Sequence, residues 1–321
     1  MKKRWLVILF LGAFVLAAYS FCSIDSTKNS RMERVSSNAL PPDSINPNAL
    51  ELPLMKGNIP VIKHLGYAFQ YSEKHEQAFW IGYELTKKET EKAFERTDDF
   101  IPDPAVTTGT ATVGDYLKSG YDRGHLAPAA DMGWSQQAMA ESFYFSNMSP
   151  QVPGFNRGIW KMLEEQVRTW AKAYDSIYVV TGPVLKDGLV QMGPNGVSIP
   201  KYYYKVILDN TGGDAKAIGF LMPNEASKEP LENFAVSVDQ VEQETGIDFF
   251  NKLPDSRENA FEKEVCIPCW TWKIINSPSP NPSTPTQPGS LQTQCNGITK
   301  AGAQCSRMTT DADGFCYQHK P

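Results

Sequence analysis

Residues 121–132 read Tyr-Asp-Arg-Gly-His-Leu-Ala-Pro-Ala-Ala-Asp-Met, and residues 156–168 read Asn-Arg-Gly-Ile-Trp-Lys-Met-Leu-Glu-Glu-Gln-Val-Arg. The first stretch sets Arg123 and His125 two apart on an expected turn. The second sets Asn156, Glu164 and Arg168 at spacings of eight and four. A neutral imidazole is the side chain best suited to take a proton from water near pH 7. A carboxamide oxygen is a hard, neutral donor that Mg2+ accepts while keeping most of its water. A guanidinium matches phosphate geometry and stays charged. Together these are parts for cutting a phosphodiester: a base, a hard-cation site and a phosphate clamp. Each also has a plainer structural role. An isolated His is usually a hydrogen-bonded core residue, an Asn before a helix is usually its cap, and Glu164 and Arg168 could pair as i, i+4 neighbours.

Those side chains need elements to hold them. Residues 156–174 have a helical period, with Ile159, Leu163, Val167, Trp170 and Tyr174 on one face. Trp160, Glu164 and Arg168 form the neighbouring stripe, with Asn156 at its N-terminal end. On a straight helix Glu164 is about 12 Å along the axis from Asn156, too far for both to grip one ion. Helical side chains lean toward the N-terminus, so Glu164 is expected to hold waters around the ion instead. Glu165 points about 100° away around the helix. Residues 77–85, 176–181, 202–208 and 217–221 are apolar and β-branched or aromatic between turns, and read as strands. Residues 231–245 read as a weaker amphipathic helix ending at Gly246. The order contains no repeating βαβ unit, so an α+β fold is expected, with helices on a mixed antiparallel sheet core.

The segment Asp122-Arg123-Gly124-His125 resembles the signature of the DNA/RNA non-specific endonucleases, the ββα-metal (His-Me finger) enzymes that include endonuclease G and secreted bacterial sugar-non-specific nucleases. The segments Trp80–Thr86, Val180–Pro183, Ile199–Lys205 and Phe220–Asn224 look like strands and turns of that family, in family order, over roughly residues 62–275. The resemblance implies His125 as general base, Asn156 as the direct protein ligand of one hydrated Mg2+ (or Mn2+), and Glu164 behind the ion's water. It implies Arg123 at the scissile phosphate, with Asn147, Arg168 and Arg96 in supporting positions. It also implies DNA and RNA as substrates and 5′-phosphate ends. Asp122 is expected to fix the turn rather than react. His64 and His75 lack such context and read as structural or surface residues.

The chain of 321 residues carries a net charge of −5. That is the wrong sign for a protein that gains affinity from phosphate neutralisation, so any attraction must come from a local basic patch. Lys2, Lys3 and Arg4 precede an apolar run from Trp5 to Ala18, and Ala18-Tyr19-Ser20 offers a small-x-small cleavage site. Residues 1–21 therefore read as a signal peptide or an uncleaved membrane anchor, and Cys22 as a possible lipid acceptor. All three readings predict export, to a periplasmic, secreted or membrane-anchored destination. Residues 22–60 read as a flexible tether, 61–275 as the nuclease domain and 276–293 as a Pro/Ser/Thr-rich linker. Residues 294–321 form a tail too short to fold without a staple. Cys295, Cys305, Cys316 and His319 are a set that Zn2+ accepts. The rival is disulfide bonding. Cys266 and Cys269 could close on each other, which leaves an odd number of tail cysteines and favours zinc.

Two other functions use the same residues: a phosphodiesterase or pyrophosphatase acting on small nucleotides, and a nucleic-acid-binding module that has lost catalysis. The presence of Arg123, His125, Asn156 and Glu164 together argues against the second.

Overall fold

The computed structural model describes residues 49–212 and 215–272 and, in the tail, 293–294, 296–297, 304–305 and 308–309. The expected N-terminal signal or anchor, Cys22, nearly all of the linker, and Cys295, Cys316 and His319 lie outside the described residues.

Strong period-2 patterning builds the core. β1 (Val61–Lys63), β2 (Ala68–Ser72) and β3 (Gln77–Thr86) form a meander. A long excursion then carries β4 (Asp122–His125) and β5 (Met148–Gln151), which pair with each other rather than with the main sheet. Next come helix α1 (Lys161–Tyr174) and strands β6 (Ser176–Pro183), β7 (Tyr202–Asp209), β8 (Lys216–Pro223) and β9 (Ala235–Val236). Helices α2 (Val238–Thr245) and α3 (Asp255–Glu262) follow. The main sheet has seven strands in the order β9-β8-β7-β6-β3-β2-β1, and every pairing in it is antiparallel.

Alternation along β7 shows how the sheet divides two cores. Tyr203 and Ile207 face the core that holds α1, with Trp160, Leu163, Val167 and Trp170. Tyr204, Val206 and Leu208 face the other core, with Val238, Val241, Ile247 and Phe249. Lys205 shares the parity of Tyr203 and Ile207, so a lysine with no exposed surface lies on the α1 side. The C-terminal end of the body is fixed from the same side. Trp270 packs on Trp170 with ring centroids 4.6 Å apart, and Gln166 and Trp170 both donate to the carbonyl of Thr271. Cys266 and Cys269 just before them form a disulfide.

Three elements depart from the sequence expectations. Residues 49–55, assigned to the tether, belong to the body: Ala49, Leu50 and Leu52 are buried, and Leu54–Met55 pairs with Ile247–Asp248. Gly82 permits this, because a Cβ there would meet the carbonyl oxygen of Glu51 at 1.9 Å. The helix expected over 231–245 starts only at Val238, where Ser237 and Gln240 form a capping box. Ala235 and Val236 are instead claimed by the edge of the sheet. The helix expected from Asn156 starts at Lys161. A π-helical segment, Phe155–Trp160, precedes it, and Gly158 breaks regular geometry at φ −106°, ψ −111°.

Candidate active site

β4, β5 and α1 assemble the site. In the β4–β5 ladder Asp122 is opposite Gln151 and His125 opposite Met148. The Asp-Arg-Gly-His segment is therefore a strand, not the expected turn. Gly124 makes that possible, since a Cβ there would lie 2.2 Å from the Gln151 side chain. β5 is anchored to the main sheet by Ser149, whose hydroxyl bonds Gln77 at 2.5 Å and Tyr203 at 2.6 Å. In an extended strand Arg123 and His125 share a face, which a tight turn would not guarantee.

His125 is 8% exposed. Phe143 and Phe100 meet its ring edge-on, at centroid distances of 5.0 and 5.8 Å. Burial, with help from the charges of Arg96 and Arg123, pushes its pKa down to about 3. The imidazole is neutral near pH 7, and its Nε2 has no hydrogen-bond partner among the described residues. A buried ring nitrogen left unpaired costs free energy; here it is aligned with what a base for an incoming water requires.

The two arginines share this aromatic wall. The Arg123 guanidinium lies 3.9 Å from the Phe100 centroid and that of Arg96 4.8 Å from Phe143. Among the described residues Arg123 has no salt-bridge partner, whereas Arg96 pairs with Asp98 at 2.5 Å. Both line a cavity of about 420 Å³ together with Asn156, Asp122, Arg157 and Lys118. Its walls carry four cations, Arg96, Lys118, Arg123 and Arg157, against the carboxylates Asp98 and Asp122. An acidic chain thus presents a basic recess, as the net-charge argument required.

Asn156 is half-buried in the π-helical segment. Its Nδ2 donates to Asp122 Oδ2 at 2.9 Å. Asp122 also accepts from Arg157 Nε at 2.8 Å and Nη2 at 2.6 Å. Burial works against the Asp122 charge, but the hydrogen bonds from Arg157 and Asn156 outweigh it and hold the carboxyl below its usual range. An ionised carboxylate only accepts, so the amide end of Asn156 is the end that faces it. The carboxamide oxygen is left over, and no protein donor among the described residues reaches it. That donor set fits a hard, hydrated cation. Asp122 therefore orients Asn156 rather than fixing a turn. The bend at Gly158 also removes the straight-helix path used to space Asn156 from Glu164.

Glu164 is half-buried in the first turn of α1. It has no hydrogen-bond or salt-bridge partner among the described residues. Arg168 does not pair with it; Arg168 Nη1 meets buried Asp131 Oδ1 at 2.7 Å, and Asp131 Oδ2 accepts from Tyr83. Burial raises the pKa of Glu164, and Lys205 and Arg168 oppose it. Lys205 lies 4.7 Å from the Trp160 ring centroid, with its Nζ 3.5 Å from the carbonyl of Leu126. Asn147 has no exposed surface, and its amide is fully engaged with backbone. Its Oδ1 accepts from Ala127 N, and its Nδ2 donates to Ala127 O and Ser142 O. It knits the chain just after His125 and presents nothing to the cavity. His64 bonds Asp103 at 2.8 Å and His75 bonds Ser198 at 2.9 Å, away from the site.

Sequence reasoning missed Arg157, Lys205, Asp131 and the Phe100–Phe143 wall. Lys205 left a signal, a lysine inside an otherwise apolar strand. The aromatic pair left none, because both residues come from the excursion between β3 and β5. Of the expected zinc set only Cys305 is described: it is buried, its N–H donates to Gly297 O, and its carbonyl accepts from Gln294.

Comparison with known proteins extends the geometry. The family model for DNA/RNA non-specific endonucleases matches residues 52–256. Nuclease C1 of Cunninghamella echinulata var. echinulata is 40% identical over 204 residues, covering 58% of this chain and 81% of that one. The mitochondrial endonuclease G of Homo sapiens is 35% identical over 215 residues, covering 61% and 72%. A chain in the crystal structure of the EndoG/EndoGI complex superposes with a TM-score of 0.57 at 33% identity, covering 62% of this chain and 88% of that one.

These relatives correct the expectation of export. Those of Schizosaccharomyces pombe, Saccharomyces cerevisiae and human are named as mitochondrial, not as exported proteins. The physical reason for the misreading is that a basic start free of acidic residues is common to both kinds of leader, and the first acidic residue here is Asp25. Among the described residues no helix is long and apolar enough to cross a membrane. The match over most of the body, with the basic recess and the buried imidazole of Asp122-Arg123-Gly124-His125, makes this chain a member of the DNA/RNA non-specific endonuclease family, a nuclease that hydrolyses phosphodiester bonds.

Proposed function

We propose that this nuclease is a Mg2+-dependent (or Mn2+-dependent), sugar-non-specific endonuclease that cuts both DNA and RNA within the chain and leaves 5′-phosphate ends. One observation carries the reading: a buried neutral imidazole with an unpartnered Nε2, in a wall shared with Arg123 and Arg96.

In this reading His125 takes the proton from the attacking water at Nε2. Phe100 and Phe143 keep the ring desolvated and therefore unprotonated. Arg123, free of a carboxylate partner, holds non-bridging phosphate oxygens, and Arg96 adds charge at the rim. Asn156 would hold the metal directly through Oδ1, and Glu164 through water. The metal, when bound, supplies Lewis-acid stabilisation of charge at the phosphate. Asp122 keeps the carboxamide turned, Asn147 keeps the backbone after His125 in place, and Arg168 fixes Asp131 beneath Glu164. A recess that meets phosphate with guanidinium groups rather than base edges reads little sequence. These two strands and the following helix serve as the ββα-metal motif.

A nicking assay on supercoiled plasmid and a parallel assay on RNA, each with Mg2+ and with EDTA, tests the reading. Both polymers should be cut with Mg2+ and spared in EDTA, and end-labelling should find 5′-phosphates. Cleavage of small nucleotides with polymers left intact would replace it with the phosphodiesterase reading. In the tail, we propose that Cys295, Cys305, Cys316 and His319 hold one structural Zn2+; elemental analysis of the full chain should find about one zinc. A zinc-free chain with an oxidised tail would favour disulfides.

A further inference from the structure

The back face of the sheet carries a second group of carboxylates that the nuclease site does not use. α2 and α3 pack on β8 and against each other there. Asp239 and Glu242 of α2 and Glu262 of α3 each bring one oxygen to a common point, all within 4.8 Å of one another. Glu262 is 5% exposed, and its Oε1 is buried without a hydrogen-bond partner among the described residues. Asp248 and Glu258 add negative charge around it. One Glu242 oxygen accepts from Phe249 N at 2.7 Å. Among the described residues, no lysine or arginine forms a salt bridge with any of these five side chains.

Buried charge is retained only when it is paired or ligates a cation. Here three carboxylates converge, and no lysine or arginine is salt-bridged to them among the described residues. A cation removes that conflict without moving a helix. The donors are all oxygen, which selects a hard ion over zinc or copper. Oxygens within 4.8 Å of one another can share one ion, and the flexible shell of Ca2+ at about 2.4 Å accepts such a set more readily than the near-octahedral shell of Mg2+ at about 2.1 Å. We propose that Asp239, Glu242 and Glu262 form a structural Ca2+ site that clamps α2 to α3, on the face of the sheet opposite the nuclease cavity.

The test uses the full chain carrying Asn156→Ala, which weakens metal binding at the nuclease site, and reads the difference that the back-face variants make in that background. Calorimetric titration with Ca2+, up to roughly 5 mM to span even the weak class of Ca2+ sites, should show about one ion bound, and Ca2+ should raise Tm, as any ligand selective for the folded state does. Glu262→Gln in the same background should weaken binding at least about tenfold and abolish the Tm shift. Asp239→Asn, at an exposed position, should act in the same direction and serves if the buried substitution fails to fold. Absence of Ca2+ binding in the parent, or unchanged binding in both variants, would overturn the proposal.

Discussion

Two groups of carboxylates lie on opposite faces of one sheet, and their surroundings differ. On the face that carries the cavity, Glu164 and Asp131 are surrounded by Arg168 and the fully buried Lys205. On the back face the charges that act most on Glu242 and Glu262 are further carboxylates. In the first group Lys205 and Arg168 offset part of the effect of burial, which still pushes Glu164 up to about 7, and Glu164 has no hydrogen-bond partner among the described residues. Nearby cations, rather than the number of acidic residues, distinguish the two groups.

The largest expected effect is at the base. His125→Ala should lower the cleavage rate by roughly 10²–10⁴, with the circular dichroism spectrum unchanged. Turnover at the parental rate would remove His125 from the mechanism. Next is Lys205→Met, which leaves Glu164 and Asp131 short of one compensating charge. Removing one partner from a buried charged group costs about 3–5 kcal/mol. Urea unfolding in EDTA should register it, whereas Glu262→Gln under the same conditions should leave stability unchanged or raise it. Equal losses in the two variants would erase the contrast between the faces.

Metal dependence gives the next effect. Asn156→Ala and Glu164→Ala should both raise the half-saturating Mg2+ concentration, Glu164→Ala by about 10–100-fold, as loss of an outer-shell partner does. An unchanged Mg2+ titration for Asn156→Ala would reduce that residue to a helix-entry role. A smaller effect is on stability against pH. Unfolded, the imidazole titrates near 6.5; folded, His125 is pushed down to about 3. Between those values the unfolded chain binds more protons, so His125 contributes stability that is present above pH 6.5 and lost as pH falls toward 3. Its share of the slope is at most about 1.4 kcal/mol per pH unit. Urea midpoints between pH 4 and 6 should fall less steeply in His125→Ala than in the parent. The smallest effect should follow deletion of residues 276–321, which should leave nuclease activity nearly intact. The described body already closes on Trp270 and Thr271 before the linker begins. Loss of activity on truncation would bring the tail into the catalytic domain.

The sequence by itself determined much of this protein. Alternation in residues 202–208 and the 3.6-residue period after 159 specify strands and a helix, because each pattern buries a single face only in its own geometry. The run Asp122-Arg123-Gly124-His125 and the spacing from Asn156 to Glu164 made the chemistry legible, since few side chains can serve as base, hard-ion donor and phosphate clamp. What stayed hidden depends on approach through space. The strand conformation of Asp122–His125 requires Gln151 to lie against Gly124. The orientation of Asn156 requires Asp122, 34 residues earlier. The low pKa of His125 requires Phe100 and Phe143 from the excursion. How far a carboxylate is compensated depends on which strand crosses beneath it, as Lys205 does in part for Glu164 and no cation among the described residues is shown to do for Glu262. Local pattern encodes which face is buried; only the assembled tertiary structure decides which charges meet there, because Coulomb and desolvation energies depend on distance in space rather than separation along the chain.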